Sequence, residues 1–222
     1  MTLQGPSIVI AAMKSVLIRV HPSHPQKRLV DQTAEIISRG GIVVCPTDAC
    51  YSLVCQVGNK AAEDRIRAIR DLERGHYFTL MCADVSALAL YGKVSNAAFR
   101  LVRMLTPGPY TFILQATKET PRRLQDPKRK MVGLRVPEHP FVHALLATLD
   151  EPLLSSTLMN DDAQLPYAEP DEIVAQFGHA VNAIVDSGSI GIEMTTVLDL
   201  SAERAVLVRS GKGPIDDIAD LE

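Results

Sequence analysis

Apolar residues recur along this chain at two spacings, one suited to helices and one to buried strands, and the two alternate from end to end. In HPQKRLVDQTAEIISRGG, Leu29, Val30, Ile36 and Ile37 fall on one helical stripe, and Gly40-Gly41 supplies a stop. Two apolar runs, 42–45 and 51–57, follow as strands. Asn59 then caps a helix that turns Ala62, Ile66 and Ile69 inward. YFTLMCA reads as a strand, and two helices open on Asp84 and Ser95. Pro107-Gly108-Pro109 breaks the chain before the strand YTFILQA, KMVGLRVP is a further strand, and Pro140 starts the helix HPFVHALLATL. PLLSSTL is a strand, EPDEIVAQFG a helix, and NAIVDSG, TTVLDLS and AVLVRSG are closing strands.

Strict strand–helix alternation is absent, because the strands at 42–45 and 51–57 adjoin, as do the last two. The expected fold is α/β: a single domain with a twisted mixed parallel/antiparallel sheet flanked by helices. Residues 1–13 read as a loose N-terminal extension, 14–213 as the domain and 214–222 as a C-terminal tail. One junction raises a question. The first strand of the adjoining pair empties into Pro46-Thr47-Asp48 before the chain turns back at Tyr51. Such residues make an ordinary turn, and they also deliver polar groups to the mouth of a site.

The 222 residues are 46% hydrophobic and 22% charged, enough for one sizeable core. A net charge of -3 gives no global attraction to nucleic acid, so any anion site must be local. Cysteines at 45, 50, 55 and 82 lack the close pairs of zinc sites and read as buried thiols of a reducing compartment. No apolar run reaches the ~18 residues of a membrane span. The apolar stretch Ile8 to Met13 has no basic residue before it, as a secretory leader would. The expected location is the cytoplasm.

Basic residues gather in PRRLQDPKRKMVGLRV: Arg122, Arg123, Lys128, Arg129, Lys130 and Arg135. This run suits phosphates of a nucleotide or RNA, and equally a solvated loop. Arg135 differs, since a charge inside an apolar strand calls for a partner or a ligand. On the second helix, Arg65, Arg67, Arg70, Asp71 and Arg74 suggest a salt-bridged face, with Arg70 at the helix end. Hydroxyls cluster at Ser155, Ser156 and Thr157 and at Thr195 and Thr196, each set at the end of an apolar run. His139 and His143 have the spacing of zinc-enzyme ligands, but no glutamate follows His139 and no third ligand stands out, and His76 sits in a loop. Glycine-rich dinucleotide, P-loop and serine-hydrolase signatures are missing.

The blocks GGIVVCPTDACYSLVC, RIRAIRDLERGHYFTLMC, LTPGPYTFILQAT, VGLRVPEHP, LLSSTLM, VDSG, TTVLDL and VLVRSGKG stand in an order that resembles YrdC-like proteins over residues 20–213. That family includes the synthases of L-threonylcarbamoyladenylate that serve tRNA modification, and the chain is most similar to its YciO-like branch. The resemblance implies a concave basic cavity, with Arg70 and Arg135 catalytic and Thr111, Thr157 and Arg209 binding nucleotide. It further implies Thr47 and Thr195 for the amino acid or bicarbonate; Arg122, Arg123, Lys128, Arg129 and Lys130, by their charge alone, make the expected anion- or RNA-binding loop. No metal ligands are implied. ATP is the implied substrate, accompanied by Mg2+, a small amino acid and bicarbonate, with no tightly held cofactor.

This chain also departs from the synthases it resembles. Their Lys-x-Arg reads Arg70-Asp71-Leu72, and their Ser-x-Asn reads Thr157-Leu158-Met159. The second threonine of their Pro-Thr-acid-Thr motif is Ala49, and Met81 stands where a histidine for the amino acid is common. Two readings therefore remain open: a weakened synthase of a carbamoyl-adenylate, or a protein that binds tRNA, rRNA or double-stranded RNA without adenylation.

Overall fold

In the computed structural model, residues 15–72, 77–160, 162–216 and 218 are described. The expectations placed on residues 1–13, Arg74 and His76 lie outside them. The chain runs β1 (Val16–Arg19), α1 (Lys27–Ser38), β2 (Val43–Cys45), β3 (Ser52–Gln56), α2 (Lys60–Ile69), β4 (Thr79–Met81), α3 (Val85–Tyr91), β5 (Gly92–Lys93), α4 (Asn96–Leu105) and β6 (Tyr110–Ala116). It continues with β7 (Met131–Arg135), α5 (Pro140–Leu149), β8 (Leu153–Thr157), β9 (Met159–Asn160), β10 (Leu165–Pro166), α6 (Pro170–Phe177), β11 (Ala183–Asp186), β12 (Thr196–Asp199) and β13 (Val206–Arg209).

The helix boundaries follow from local chemistry. Asn59, Asp84 and Ser95 each accept a hydrogen bond from the backbone three residues on, at Ala62, Ala87 and Ala98. At the end of α1, Gly40 takes φ of +84°, and the amides of Gly40 and Gly41 close on Ile37 and Ile36. A side chain at Gly40 would be strained there.

Eleven strands form one sheet among the described residues, in the order β1-β11-β2-β3-β8-β4-β7-β6-β12-β13, with β5 paired to β6. Parallel pairs (β1 with β11, β11 with β2, β4 with β7, β6 with β12) mix with antiparallel ones, as the pattern implied. Strand β1 did not stand out in the sequence, because it is four residues long and gains its partner only from β11, far along the chain. The segment expected as a tail begins packed: Tyr110 donates to the carbonyl of Pro214 at 2.8 Å, and Ile218 is buried in the core.

The two faces of the sheet differ. One carries Leu53, Leu80, Leu114, Leu134, Leu154 and Leu198, roofed by α2, α3, α4 and α6 through Ile66, Leu88, Val102 and Ile173. On the other face, α1 and α5 pack together over Val43, Cys45, Val54, Met81 and Leu153 through Val30, Ile37, Phe141 and Leu145. Among the described residues, no helix covers the rest of that second face, above β7, β6 and β12. All four cysteines are free, buried thiols, and burial pushes Cys55 and Cys82 up to about 12. No helix among the described residues is long and apolar enough to cross a membrane.

His139 precedes α5 and is 8% exposed. Burial pulls its pKa down to about 4, with Asp48 opposing and His143 adding to the shift. The unfolded chain takes up this proton near pH 6.5, which the folded chain refuses until about pH 4. Stability from His139 is therefore full above pH 6.5 and falls as the pH drops through that window. Denaturant midpoints followed from pH 7 to 4 should decline by an increment that a His139→Leu variant lacks, worth on the order of 2 kcal/mol. Identical pH profiles would refute the assignment.

Candidate functional site

A cavity of about 470 Å³ occupies the uncovered part of the sheet. Its floor is set by strand register. Gly133 pairs with Thr79 on one side and with Ile113 on the other, and Ile113 pairs with Asp199. One step along, the Phe112–Leu134 pairing brings Thr111 opposite Arg135, while Val197 pairs with both Thr111 and Arg209. Side chains two apart on a strand share a face, so both rows look into the cavity. Ser155 and Thr157 of β8 and Ser52 of β3 close one end.

Of the residues named from the sequence, Arg70, Arg129, Arg135, Thr111, Ser155, Ser156, Thr157, Thr195 and Arg209 line this cavity. Thr111 and Thr195 share a hydrogen bond of 2.9 Å between hydroxyls. Arg209, on the last strand, donates through Nη2 and Nε to the Thr195 carbonyl at 2.9 and 3.3 Å. It forms no ion pair with a carboxylate among the described residues. Partial burial lowers its pKa from the usual arginine value, a penalty on the charge that a bound anion would relieve. Arg70 caps the end of α2 and its Nε donates to the Thr157 carbonyl at 2.9 Å.

Arg135 is 4% exposed, and its partner is Asp48, which answers the question raised by the turn after β2. Thr47 does not line the cavity. Its hydroxyl donates to the Cys50 carbonyl at 2.7 Å and accepts from the amides of Ala49 and Cys50 at 3.1 and 3.2 Å. The threonine thus shapes the turn, and the turn aims the aspartate. Tyr51, fully buried beneath, donates to the Gly188 carbonyl at 2.8 Å.

The basic loop divides. Arg129 reaches the cavity, whereas Arg122, Arg123, Lys128 and Lys130 do not line it. Arg123 is held by α2: its guanidinium lies 3.2 Å from buried Glu63 and 2.6 Å from Asp64. That pairing ties the loop to α2. There, Arg65 donates to the Ala180 carbonyl at 2.8 Å and Arg67 lies 4.4 Å above the Phe78 ring. Thr196 turns away from the cavity and donates to the Gly213 carbonyl at 2.6 Å. Met81 is buried under α5, while Met159 lines the cavity.

Sequence reasoning passed over Ser52, Thr79, Gly133 and Asp199, all of which line the cavity. Their signal was alternation: on β4, β7 and β12 each lies two positions from an inward apolar or charged residue. Cys50 sits close to this site, 4.0 Å from the Thr157 hydroxyl, but burial raises its pKa and keeps it a thiol. Among the described residues, no three of His, Cys, Asp or Glu are grouped so as to hold a metal. The arrangement can hold an anion between guanidiniums and hydroxyls, beside a floor row of Gly133, Ile113 and Asp199.

Comparison with known proteins gives the relatives of this arrangement. The Sua5/YciO/YrdC family model, described as telomere recombination, matches residues 35–211. A protein of Haemophilus influenzae is 49% identical over 195 residues, spanning 87% of this chain and 94% of the relative. The crystal structure of E. coli YciO superposes with a TM-score of 0.88 at 46% identity, over 91% of this chain and 98% of that one. P. abyssi Sua5 complexed with L-threonine shares the fold, with a TM-score of 0.84 at 22% identity over 94% of this chain and 63% of its own. By sequence and by fold, the chain belongs to the Sua5/YciO/YrdC family.

Proposed function

We propose that the cavity binds a nucleoside triphosphate through its phosphates and supports chemistry of the threonylcarbamoyl-AMP synthase type. In that reaction the amino group of an amino acid adds to the carbon of bicarbonate and water leaves, giving an N-carboxy amino acid. Its carbamate oxygen attacks the α-phosphate of ATP, and the bond to the departing pyrophosphate breaks. The observation that carries this reading is the row Arg135, Thr111, Val197 and Arg209 with the Thr111–Thr195 hydroxyl pair, all lining one cavity. Charge grows on phosphate oxygens in the transition state, and preorganised donors of this kind favour it.

Arg209 supplies the uncompensated charge, because Arg135 already has Asp48. Thr111 and Thr195 orient the oxygens. Magnesium would arrive with the triphosphate as part of the substrate, since the carboxylates lining the cavity are Asp126 and Asp199 and Asp126 is engaged by Tyr77. At the amino-acid end the chain departs from the synthases it resembles: Thr47 is committed to its turn, and Met81 is packed in the core. P. abyssi Sua5 carries L-threonine, which makes threonine the first acceptor to test.

A second reading, RNA binding without adenylation, is favoured by the exposed Arg122, Lys128 and Lys130, which stand off the cavity. Pyrophosphate release with ATP, bicarbonate and each amino acid in turn, beside an active synthase, separates the two. Release with one acceptor supports the first reading; silence across the panel with tight tRNA binding supports the second.

Two substitutions extend the test. Arg209→Gln should weaken ATP binding about tenfold by calorimetry with little change in thermal midpoint, because a charge-assisted contact is lost from the rim. An unchanged affinity would place the phosphates elsewhere. Replacing Arg122, Lys128 and Lys130 together by glutamine should leave ATP binding intact and flatten the dependence of log K for tRNA on log salt by about 2–3 units. A slope equal to that of the unmodified protein would exclude the loop from RNA contact.

A further inference from the structure

Gly133 lies in the interior of β7, where glycine weakens a strand, and the fold gives no reason for it. Its φ lies outside the left-handed region, so the backbone does not demand glycine. Nor does packing. A Cβ built there would lie 3.3 Å from the Thr79 hydroxyl, 3.7 Å from the Phe78 carbonyl and 3.7 Å from Thr111 Cγ2, contacts that need only a slight shift. Gly92 makes the contrast, since a Cβ on it would meet Leu134 at 2.5 Å and Leu114 at 2.9 Å. Packing explains Gly92. What remains for Gly133 is the cavity, onto whose floor its missing side chain opens.

The surroundings indicate what could lie on that floor. Gly133 is two residues from Arg135, about 7 Å along the strand. Thr79, its partner on β4, presents a hydroxyl that makes no hydrogen bond among the described residues, and Ile113, its partner on β6, adds an apolar wall. Asp199 stands one strand further in the same row. A ring with hydroxyls on its edge and an apolar face, joined to a phosphate through one methylene, matches those neighbours. We propose that Gly133 is a specificity-determining residue whose bare backbone seats the ribose of a bound nucleotide, an inference that rests on the nucleotide reading above.

The experiment titrates ATP and inorganic tripolyphosphate into the unmodified protein, Gly133→Ala and Gly133→Val, with a thermal midpoint for each. A Val side chain fills the seat and leaves the anion groups alone. Gly133→Val should weaken ATP about tenfold or more and Gly133→Ala a few-fold, as overfilling of a fitted space does, with tripolyphosphate affinity unchanged. ATP affinity unaffected by Val overturns the proposal, and so does an equal loss for both probes, which would mark a structural role. Should Val fail to fold, Ala decides by the same comparison of probes. If the unmodified protein binds tripolyphosphate but not ATP, or binds neither, the nucleotide reading falls and this inference with it. If it binds ATP and the variants match it, the inference alone falls.

Discussion

A sheet with two apolar faces needs two roofs, and this one has a roof and a half. The helices α2, α3, α4 and α6 cover one face entirely, while α1 and α5 meet each other over β2, β3 and β11 and leave the second face open beyond β4. An uncovered stretch cannot be lined like a core, because exposed apolar surface is costly to keep in water. The strands respond by changing composition partway along. Leu153 and Met81 sit in the core beneath α1 and α5, whereas Ser155 and Thr79 on the same strands line the cavity. The cavity is thus a consequence of where the helices stop.

Placing charge on such a floor requires balance. Arg135 lies at the edge of the roofed region, where a buried charge is costly without a partner, and Asp48 is brought to it by the turn that Thr47 ties. Removing either partner would strand a buried charge, a loss on the order of 3–5 kcal/mol. The same pairing limits what Arg135 can offer a ligand, since its charge is already met. Arg209 is different, being held by a carbonyl rather than a carboxylate. The site therefore combines a fixed, neutralised guanidinium with an uncompensated one, and the second supplies most of the attraction for an anion.

Much of this was legible in the chain, and the reasons for the rest are physical. Caps at Asn59, Asp84 and Ser95 and the stop at Gly40 are local interactions, so residue type alone located the helices. Arg135 announced itself because a charge within an apolar strand is out of place. What the sequence withheld depends on partners far away. Asp48 and Arg135 are 87 residues apart, so no spacing rule links them. Arg123 looked like an anion ligand until α2 supplied Glu63 and Asp64. Strand β1 and the floor positions Thr79 and Gly133 gain meaning only from strand order, which mixes parallel and antiparallel neighbours drawn from distant segments.

The departures from the synthase motifs can be weighed by the same reasoning. Losing a hydroxyl or amide at the rim changes what the cavity grips, whereas losing the floor would remove the cavity. Here the Thr47 hydroxyl is engaged in its own turn and Met159 lines the cavity with a thioether, yet the row from Arg135 to Arg209 is assembled and faces one space. Side chains that serve only the fold would gain nothing by directing Arg209 and Thr195 into an open hollow, where a helix could have sealed the sheet. An anion held there meets the hydroxyl pair first and the bare strand at Gly133 next.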